Sequence, residues 1–468
     1  MPLTAIILAA GEGSRMKSSH PKVMHKLLDK PMCWWTAEAA RKAGADHIVI
    51  VVGFKSEEVI SYFKSIHYED KVHKLSFVTQ PTQQGTGHAV MCVAQALKAF
   101  SGPVCVLFGD GPLITPETIQ DLVAFNKAHH NACSVLGMTP PDCAGYGRLD
   151  LRGHELVAII EDKDCTPEER ERLQLCNSGI MCFCGRRLSR YINELNCNNA
   201  QHEYYLTDMV ALLRAHKEPV SCIQADDYRE LLGVNDPIQL AEATKIMQMR
   251  INTKLMSEGV CMLAPEQVWI GAEVEVGADT EILPQSFLFG HTKVGEGSVI
   301  GPQSRLIDAE VGNMCTIDET VIVSSTVDDG VACGPRAYIR GHAHLKNNSK
   351  AGTHVEIKGS EIGEGTKVPH LSYIGDAKLG SHTNIGGGSI TCNYDGKHKS
   401  HTEIGDHVFI GSDTMLVAPV TIGDNALIGA SSCITKDVPA GALSLERNKQ
   451  LIKEEWASAY WEQLEKED

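Results

Sequence analysis

The sequence predicts two domains of different fold class, a mostly parallel α/β domain followed by a parallel β-helix. Two observations support this prediction. Short apolar segments alternate with amphipathic ones over the first half of the chain, and an aliphatic residue recurs at every sixth position over much of the second half. At 468 residues the chain is also longer than one ordinary domain.

The composition excludes several classes of protein. Hydrophobic residues make up 43% and charged residues 22% of the chain, which is typical of a globular protein. The formal net charge of -16 disfavours nucleic acid and anionic membranes as partners. No apolar run approaches the ~20 residues of a membrane span. The 16 cysteines show no zinc-binding spacing, which predicts reduced thiols in a cytoplasmic protein.

The elements of the first half follow from its apolar runs. Strands are predicted at 5–10, 47–52, 76–78, 104–108 and 134–138. Helical patterns lie between them, as at 34–43 and 89–99. Because parallel strands need a crossover, this alternation indicates a mostly parallel sheet with helices on both faces. A long helix over 236–259, with Pro237 in its first turn, is predicted to connect the two halves.

The repeat in the second half has a period of six. Its aliphatic positions are Ile270, Val276, Ile282, Leu288, Val294, Ile300 and Leu306, and later Ile404, Ile410, Leu416, Ile422, Ile428 and Ile434. Residues at this period stack inside a parallel β-helix, whose handedness the period does not give. The predicted domains are 1–235, 236–259, 260–448 and an amphipathic helix at 449–468, which is expected to pack on the β-helix or on a neighbouring subunit.

Two motifs in the first half indicate phosphate chemistry. Residues 8–16 read Leu-Ala-Ala-Gly-Glu-Gly-Ser-Arg-Met after the first strand, a turn whose amides can bind phosphate beside Arg15; taken alone, the glycines also fit a surface turn. Asp110 ends a strand at the edge where open α/β sheets bind ligands, so it is the candidate Mg²⁺ ligand, although a turn aspartate is the competing explanation. Gln80 and Gln83 precede Thr86, a possible helix cap.

A second group of polar residues interrupts the β-helix. Arg340, Lys358, His370, Tyr373, Asn384 and Lys399 crowd coils that are otherwise small and aliphatic, together with a Thr-Cys-Asn-Tyr-Asp-Gly loop at 391–396. A solvated outer face explains any one lysine. It explains His370 and Tyr373 poorly, so these residues indicate a binding site.

These motifs resemble a known family over nearly the whole chain. The turn at 8–16, followed by Pro-Lys-Val, is similar to the signature of nucleotide-diphospho-sugar pyrophosphorylases. Weaker matches follow in order at 145–148, 160–164, 177–179, 203–208 and 233–235. With the Pro-His-Leu-Ser-Tyr-Ile-Gly-Asp run at 369–376, the chain resembles the bacterial bifunctional N-acetylglucosamine-1-phosphate uridyltransferase / glucosamine-1-phosphate N-acetyltransferase family.

The resemblance implies a fold, an assembly and two reactions. The first domain would be a Rossmann-like nucleotidyltransferase and the second a left-handed β-helix, assembled as a homotrimer with acetyltransferase sites between subunits. Acetyl-CoA would acetylate glucosamine 1-phosphate, and the product would then react with UTP to give UDP-N-acetylglucosamine and pyrophosphate. The UDP-N-acetylglucosamine would be a precursor of peptidoglycan and lipopolysaccharide.

The resemblance also implies site residues. The UTP and UDP-N-acetylglucosamine contacts would be Leu8, Ala9, Ala10, Gly11, Lys22, Gln80, Gln83, Gly85, Thr86, Gly109, Asp110, Gly147, Glu161, Asn177 and Asn235. Asp110 and Asn235 would bind Mg²⁺, with Arg15 and Lys22 on the phosphates. His370 would be the general base, oriented by Glu356. Glucosamine 1-phosphate would contact Arg340, Lys358, Tyr373, Asn384 and Lys399, and acetyl-CoA would contact Gly387, Asn393, Tyr394, Ser412, Ala430 and Arg447.

Some residues depart from the family pattern, and two other functions stay open. Phe108 stands where the family often has tyrosine, Gly111 replaces a larger residue after Asp110, and Arg447 lies in a loosely matching stretch. One alternative is a single-activity nucleotidyltransferase with a structural or regulatory β-helix, which His370 disfavours. The other is a non-enzymatic trimeric scaffold with a nucleotide-sugar sensor, which the complete set of phosphate and metal candidates disfavours.

Overall fold

The computed structural model describes residues 2–68, 74–98, 100–153, 155–199 and 201–467. The chain divides into two compact units, Met1–Arg250 and Ile251–Asp468. Met1 and Asp468, the outer bounds of the predicted domains, lie outside the described residues. Among the helices in those ranges, none has the length and apolarity needed to cross a bilayer.

The first unit is built on a nine-stranded sheet. Its strands are β1 (Leu3–Ala9), β2 (Ala45–Val52), β3 (Lys74–Thr79), β4 (Pro103–Phe108), β5 (Cys133–Met138), β6 (Arg148–Arg152), β7 (Glu155–Ile160), β8 (Cys176–Cys184) and β9 (Val220–Gln224). They lie in the order β3-β2-β1-β4-β8-β5-β9-β7-β6. The run β3-β2-β1-β4 is parallel, as the alternation of strands and helices predicts. Strand β8, which the apolar pattern did not single out, pairs antiparallel with both β4 and β5.

Helices cover the sheet and complete the unit. They are α1 (Met32–Lys42), α2 (Ser56–Ser65), α3 (Thr86–Leu97), α4 (Pro116–Ala128), α5 (Pro167–Arg172), α6 (Gly185–Tyr191) and α7 (Asp208–Ala215), followed by α8 (Pro237–Ser257). A short hairpin pairs Lys26–Leu27 with Lys30–Pro31. Ile6, Val49 and Val106 in the central strands are fully buried, which is why those strands read as continuous apolar runs.

The second unit is a parallel β-helix with three faces. The first face stacks Cys261–Met262, Glu281–Ile282, Val299–Ile300, Thr316–Ile317, Ala332–Cys333, Lys350–Thr353, Lys367–His370, Asn384–Ile385, Phe409–Ile410, Leu427–Ile428 and Leu443–Ser444. The second stacks Val268–Ile270, Ser286–Phe289, Arg305–Ile307, Val321–Val323, Tyr338–Arg340, Glu356–Lys358, Tyr373–Gly375, Ile390–Cys392, Met415–Val417 and Cys433–Ile434. The third stacks Glu275–Val276, Lys293–Val294, Glu310–Val311, Thr326–Val327, His344–Leu345, Glu361–Ile362, Ala377–Leu379, Thr402–Ile404 and Val420–Ile422.

The period of six sets the interior of this β-helix. Ile282, Leu288, Ile300 and Leu306, which are separated by six or twelve residues in the sequence, are all fully buried in one continuous apolar core. The predicted fold class is thereby confirmed, and the stacking of short parallel strands is that of left-handed hexapeptide β-helices.

The C-terminal helix is shorter than the sequence pattern indicated. Helix α9 spans Trp456–Glu467. It does not extend further towards the N-terminus because Glu455 adopts a left-handed backbone conformation (φ 56°), which is incompatible with a right-handed α-helix. Trp456 and Trp461 are 59% and 61% exposed. Within the described chain this helix therefore does not bury the apolar side chains that were expected to pack on the β-helix.

Candidate active sites

The glycine-rich turn after β1 opens onto a cavity of about 460 Å³. Most of the residues predicted to contact the nucleotide line this cavity: Leu8, Ala9, Ala10, Gly11, Arg15, Lys22, Gln80, Gln83, Gly85, Thr86, Asp110 and Asn235. Gly109 lies directly behind the cavity, where its N–H donates to the Leu8 carbonyl oxygen at 2.9 Å. The structure thus brings residues from four distant segments to the carboxyl ends of β1 and β4.

Two cations converge on the predicted metal ligands. The Lys22 ammonium contacts the carboxylate of Asp110 and donates to Asn235 Oδ1 at 2.7 Å. Arg15 Nη2 donates to the same oxygen at 2.9 Å. Val234 N–H donates to the Asp110 carbonyl oxygen at 2.8 Å, so the two loops that carry Asp110 and Asn235 are joined through their backbones as well.

The oxygen atoms of Asp110 and Asn235 suit a hard divalent cation. They already attract the ammonium of Lys22, which shows that a positive charge is stabilised between them. Over the described ranges no group of three or more His, Cys, Asp or Glu side chains could hold a metal ion. A cation at Asp110 and Asn235 would therefore need further oxygen ligands from water and phosphate, which is how Mg²⁺ is commonly bound.

The Gly85-Thr86 segment is held differently from the expected threonine cap. Gly85, not Thr86, precedes α3, and the Thr86 hydroxyl accepts a hydrogen bond from Leu206 N–H at 3.0 Å. Gly85 has φ +97°, and a Cβ there would lie 2.6 Å from the Tyr204 carbonyl oxygen. Only glycine allows the backbone at position 85 to lie so close to Tyr204. Gln80 Nε2 donates to the Gly85 carbonyl oxygen at 3.0 Å.

The residues predicted to contact the sugar form a separate group. Asn177 N–H donates to the Gly147 carbonyl oxygen at 2.7 Å, and a Glu161 carboxylate oxygen lies 3.7 Å from the ideal Cβ position of Gly147. Glu161 lines a second cavity, of about 390 Å³, and Tyr205 lines both cavities. Sequence reasoning noted the 203–208 motif but did not single out Tyr205, whose placement depends on the loop before α7.

Four predicted residues of the second unit occupy one column on its first face. His370, Gly387, Ser412 and Ala430 take equivalent positions on successive coils, by extension of the paired registers Lys367–Asn384, Asn384–Phe409 and Phe409–Leu427. Neighbouring coils lie ~4.8 Å apart, so the column extends over roughly 14 Å. Arg447 Nη1 donates to the Ala430 carbonyl oxygen at 3.2 Å and thus reaches its far end.

A cationic cluster lies on the second face. Arg340 and Lys358 are neighbours in register on adjacent coils, and each is paired with a carboxylate. Arg340 donates to Glu356 Oε1 at 2.6 and 2.9 Å, and Lys358 donates to Asp376 Oδ1 at 2.7 Å. The hydrogen bond to Asp376 raises the pKa of Lys358, whereas the neighbouring Lys358 lowers the pKa of Lys399. Three cations against two carboxylates leave a site that favours an anion.

Two expected contacts of the second site are different in the structure. Glu356 binds Arg340 and does not orient His370, for whose imidazole no hydrogen bond is recorded among the described residues. Asn393, for which the resemblance implied a place at acetyl-CoA or beside the sugar, donates to Asp376 Oδ2 at 2.6 Å and so lies with the cationic cluster. The first outcome fits the register of the second face, which stacks the strand of Arg340 on the strand of Glu356, whereas His370 lies on the first face.

The remaining predicted residues lie near these two groups. His370 ends a first-face strand and Tyr373 begins the next second-face strand, so the two flank one corner of the coil. Asn384 begins the first-face strand that leads to Gly387. Tyr394 donates to the Gly396 carbonyl oxygen at 2.7 Å and pairs with Lys399 through the backbone. The column of His370, Gly387, Ser412 and Ala430 and the cationic cluster therefore lie on adjacent faces of the β-helix, on either side of the His370–Tyr373 corner.

Comparisons with known proteins cover both units. The family model "MobA-like NTP transferase domain" matches residues 5–194, and "Bacterial transferase hexapeptide (six repeats)" matches residues 401–436. The "Bifunctional protein GlmU" of Thermoanaerobacter pseudethanolicus is 44% identical over 456 residues, 97% of each chain. That of Caldanaerobacter subterraneus subsp. tengcongensis is 45% identical over the same shares, and that of Streptomyces avermitilis is 41% identical over 98% of this chain and 94% of its own. The chain belongs to the family of bifunctional GlmU proteins.

Proposed function

We propose that the chain catalyses two consecutive reactions. The second unit transfers an acetyl group from acetyl-CoA to glucosamine 1-phosphate, and the first unit transfers a uridylyl group from UTP to the N-acetylglucosamine 1-phosphate so formed. The observation that carries the proposal is that each unit holds its own cluster of cations, Arg15 and Lys22 in one and Arg340, Lys358 and Lys399 in the other, to which a phosphorylated substrate would be attracted. Membership of a bifunctional family along nearly the whole chain supports it.

Uridylyl transfer needs positioning and charge neutralisation. A phosphate oxygen of the sugar phosphate attacks the α-phosphorus of UTP, the bond to the β-phosphate breaks, and pyrophosphate leaves without a covalent enzyme intermediate. Arg15 and Lys22 would move from Asn235 onto the phosphates, since a polyphosphate offers them more negative charge than one amide oxygen. Mg²⁺ bound by Asp110 and Asn235 would neutralise further charge on the phosphates.

Acetyl transfer needs a base and an anchored substrate. The sugar 2-amino nitrogen attacks the thioester carbonyl carbon and its proton passes to His370. The C–S bond breaks, and the CoA thiolate takes up that proton and leaves as the thiol. Arg340, Lys358 and Lys399 would hold the phosphate, with Tyr373 and Asn384 beside the sugar ring. The column that contains Gly387, Ser412 and Ala430 would hold CoA, because its small side chains leave room along one edge of the coils.

The assembly and the location belong to the same proposal. Within the described part of its own chain, no hydrogen bond orients the exposed imidazole of His370, which favours acetyltransferase sites completed by a second subunit of a homotrimer. All 16 cysteines are free thiols, which favours a cytoplasmic enzyme. Its product would supply the synthesis of peptidoglycan and lipopolysaccharide.

The lysine pair predicts how binding of the sugar phosphate depends on pH. Because Lys358 lowers the pKa of Lys399, Lys399 loses its proton first as the pH rises, and the cluster then loses attraction for the phosphate. The KM for glucosamine 1-phosphate should therefore increase on the alkaline side at a lower pH than an ordinary lysine would cause. Lys399→Arg, whose charge does not titrate there, should delay the increase. Identical KM profiles in the two proteins would refute this assignment of Lys399.

The central test follows both products in one reaction. The purified chain is supplied with glucosamine 1-phosphate, acetyl-CoA, UTP and Mg²⁺, and free CoA thiol and pyrophosphate are both measured. We expect both to be released, and pyrophosphate to depend on acetyl-CoA unless N-acetylglucosamine 1-phosphate is added. If CoA is never released but the added acetylated sugar is used, the chain is a single-activity nucleotidyltransferase. Absence of both products would favour a non-enzymatic scaffold.

A further inference from the structure

A buried hydroxyl group lies directly under the loop that carries Asp110. Thr36, on α1, is 0% exposed. Its Oγ1 lies 3.1 Å from the Phe108 carbonyl oxygen and 3.3 Å from that of Gly111. Both neighbours are acceptors, so the single hydroxyl proton of Thr36 is shared between them.

These two carbonyls belong to the ends of one tight turn. Gly111 N–H donates to the Phe108 carbonyl oxygen at 3.1 Å, which closes a β-turn with Asp110 at its third position. Thr36 is thus hydrogen-bonded to the first and the fourth residue of the turn, on the side facing α1. Val234, in the loop that carries Asn235, donates its N–H to the Asp110 carbonyl oxygen.

Because Gly111 has no side chain, the turn depends more on the hydrogen bonds that Thr36 donates to it. A Cβ atom at position 111 would lie 3.5 Å from the Phe108 carbonyl oxygen, which is an ordinary van der Waals contact. A larger residue would therefore fit at this position. Without a side chain, Gly111 contributes no packing to hold the turn, and its backbone loses more freedom on ordering than any other residue. The orientation of the turn therefore depends on the hydrogen bonds to its carbonyl oxygens.

We propose that Thr36 is a positioning residue for nucleotidyl transfer: its hydroxyl clamps the Phe108–Gly111 turn and so fixes the Asp110 carboxylate where a divalent cation and Lys22 can share it. The proposal rests on the proposed function of the first unit. It concerns a residue that touches neither substrate nor metal and acts only through the turn.

The test compares three variants of the full chain. Thr36→Val keeps the shape of the side chain but removes the hydroxyl, so two buried carbonyls lose a donor. Thr36→Ser keeps the hydroxyl and loses only a methyl group. Ser134→Ala is the matched control, because Ser134 is a fully buried hydroxyl in β5 that binds Asn126 and Asn131, away from the Asp110 turn.

The first readout is binding of Mn²⁺ in the presence of UTP and the absence of any sugar phosphate, so that no turnover occurs, measured from the enhanced relaxation of water protons that protein-bound Mn²⁺ causes. Thr36→Val is expected to weaken Mn²⁺ binding about three- to tenfold, as the loss of one neutral hydrogen bond would. Thr36→Ser should bind like the unaltered chain, and so should Ser134→Ala even if its melting temperature falls. The Mg²⁺ concentration for half-maximal pyrophosphate release should shift by the same factor in Thr36→Val, while CoA release stays unchanged.

The outcomes separate this proposal from the function on which it rests. Unaltered Mn²⁺ binding in Thr36→Val, or equal weakening in Ser134→Ala, would overturn the role of Thr36 and leave the proposed function standing. If the unaltered chain releases no pyrophosphate, the proposed function of the first unit is wrong. If Asp110→Asn binds Mn²⁺ as well as the unaltered chain does, or if neither binds it, both the metal site and the role of Thr36 are wrong.

Discussion

Replacing His370 with alanine is expected to abolish acetyl transfer while nucleotidyl transfer persists. General-base catalysis by a positioned side chain contributes about 10²–10⁴-fold, so CoA release should fall by that factor. The loss should appear in kcat rather than in the KM for glucosamine 1-phosphate, because the cationic cluster of Arg340, Lys358 and Lys399 lies on the adjacent face and is left intact. Release of CoA thiol in the steady state is the measurement.

The controls for this variant come from the same chain. Pyrophosphate release from UTP and added N-acetylglucosamine 1-phosphate should be unchanged, which shows that the first unit is folded, and an unchanged circular dichroism spectrum checks the β-helix. His291→Ala removes an exposed imidazole from an earlier coil and should leave CoA release as it was. A His370→Ala chain that acetylates at the ordinary rate would mean that another group, or water, takes the proton.

Replacing Asp110 with asparagine is expected to remove most nucleotidyl transfer. The side chain keeps its size but loses the charge that holds Lys22 and would hold the divalent cation. Loss of one preorganised electrostatic contact in an active site costs about 10²–10³-fold in rate, and the loss of a metal ligand adds to it. Pyrophosphate release at saturating UTP should fall by at least that factor, and excess Mg²⁺ should restore only part of it.

Acetyl transfer serves as the internal reference for Asp110→Asn. CoA release should be unchanged, because the second unit has its own compact core and its own cationic cluster. Asp121→Asn, an exposed carboxylate on α4, should change neither reaction. Full nucleotidyl transfer in Asp110→Asn would support the competing explanation, in which Asp110 is an ordinary turn residue.

The sequence predicted the elements that depend on local patterns. The five apolar runs of the first half all form strands, and the hexad positions are buried in the core except Val276, which is partly buried against it. Local patterns were less informative at the edges of elements. Strand β8 carries the 177–179 motif yet lies antiparallel between β4 and β5, and α9 begins at Trp456 although the apolar spacing extends back to Ile452.

What the sequence determined by itself is the fold class, the family and the identity of the charged residues, because period, turn chemistry and motif order are all local properties of the chain. Only the tertiary structure decided which of those residues meet. Lys22 reaches Asn235 across 213 residues because the crossovers of the first unit bring their loops to one sheet edge. Glu356 meets Arg340 because their strands are neighbours on the second face of the β-helix, whereas His370 lies on the first face, a placement that no single hexad specifies.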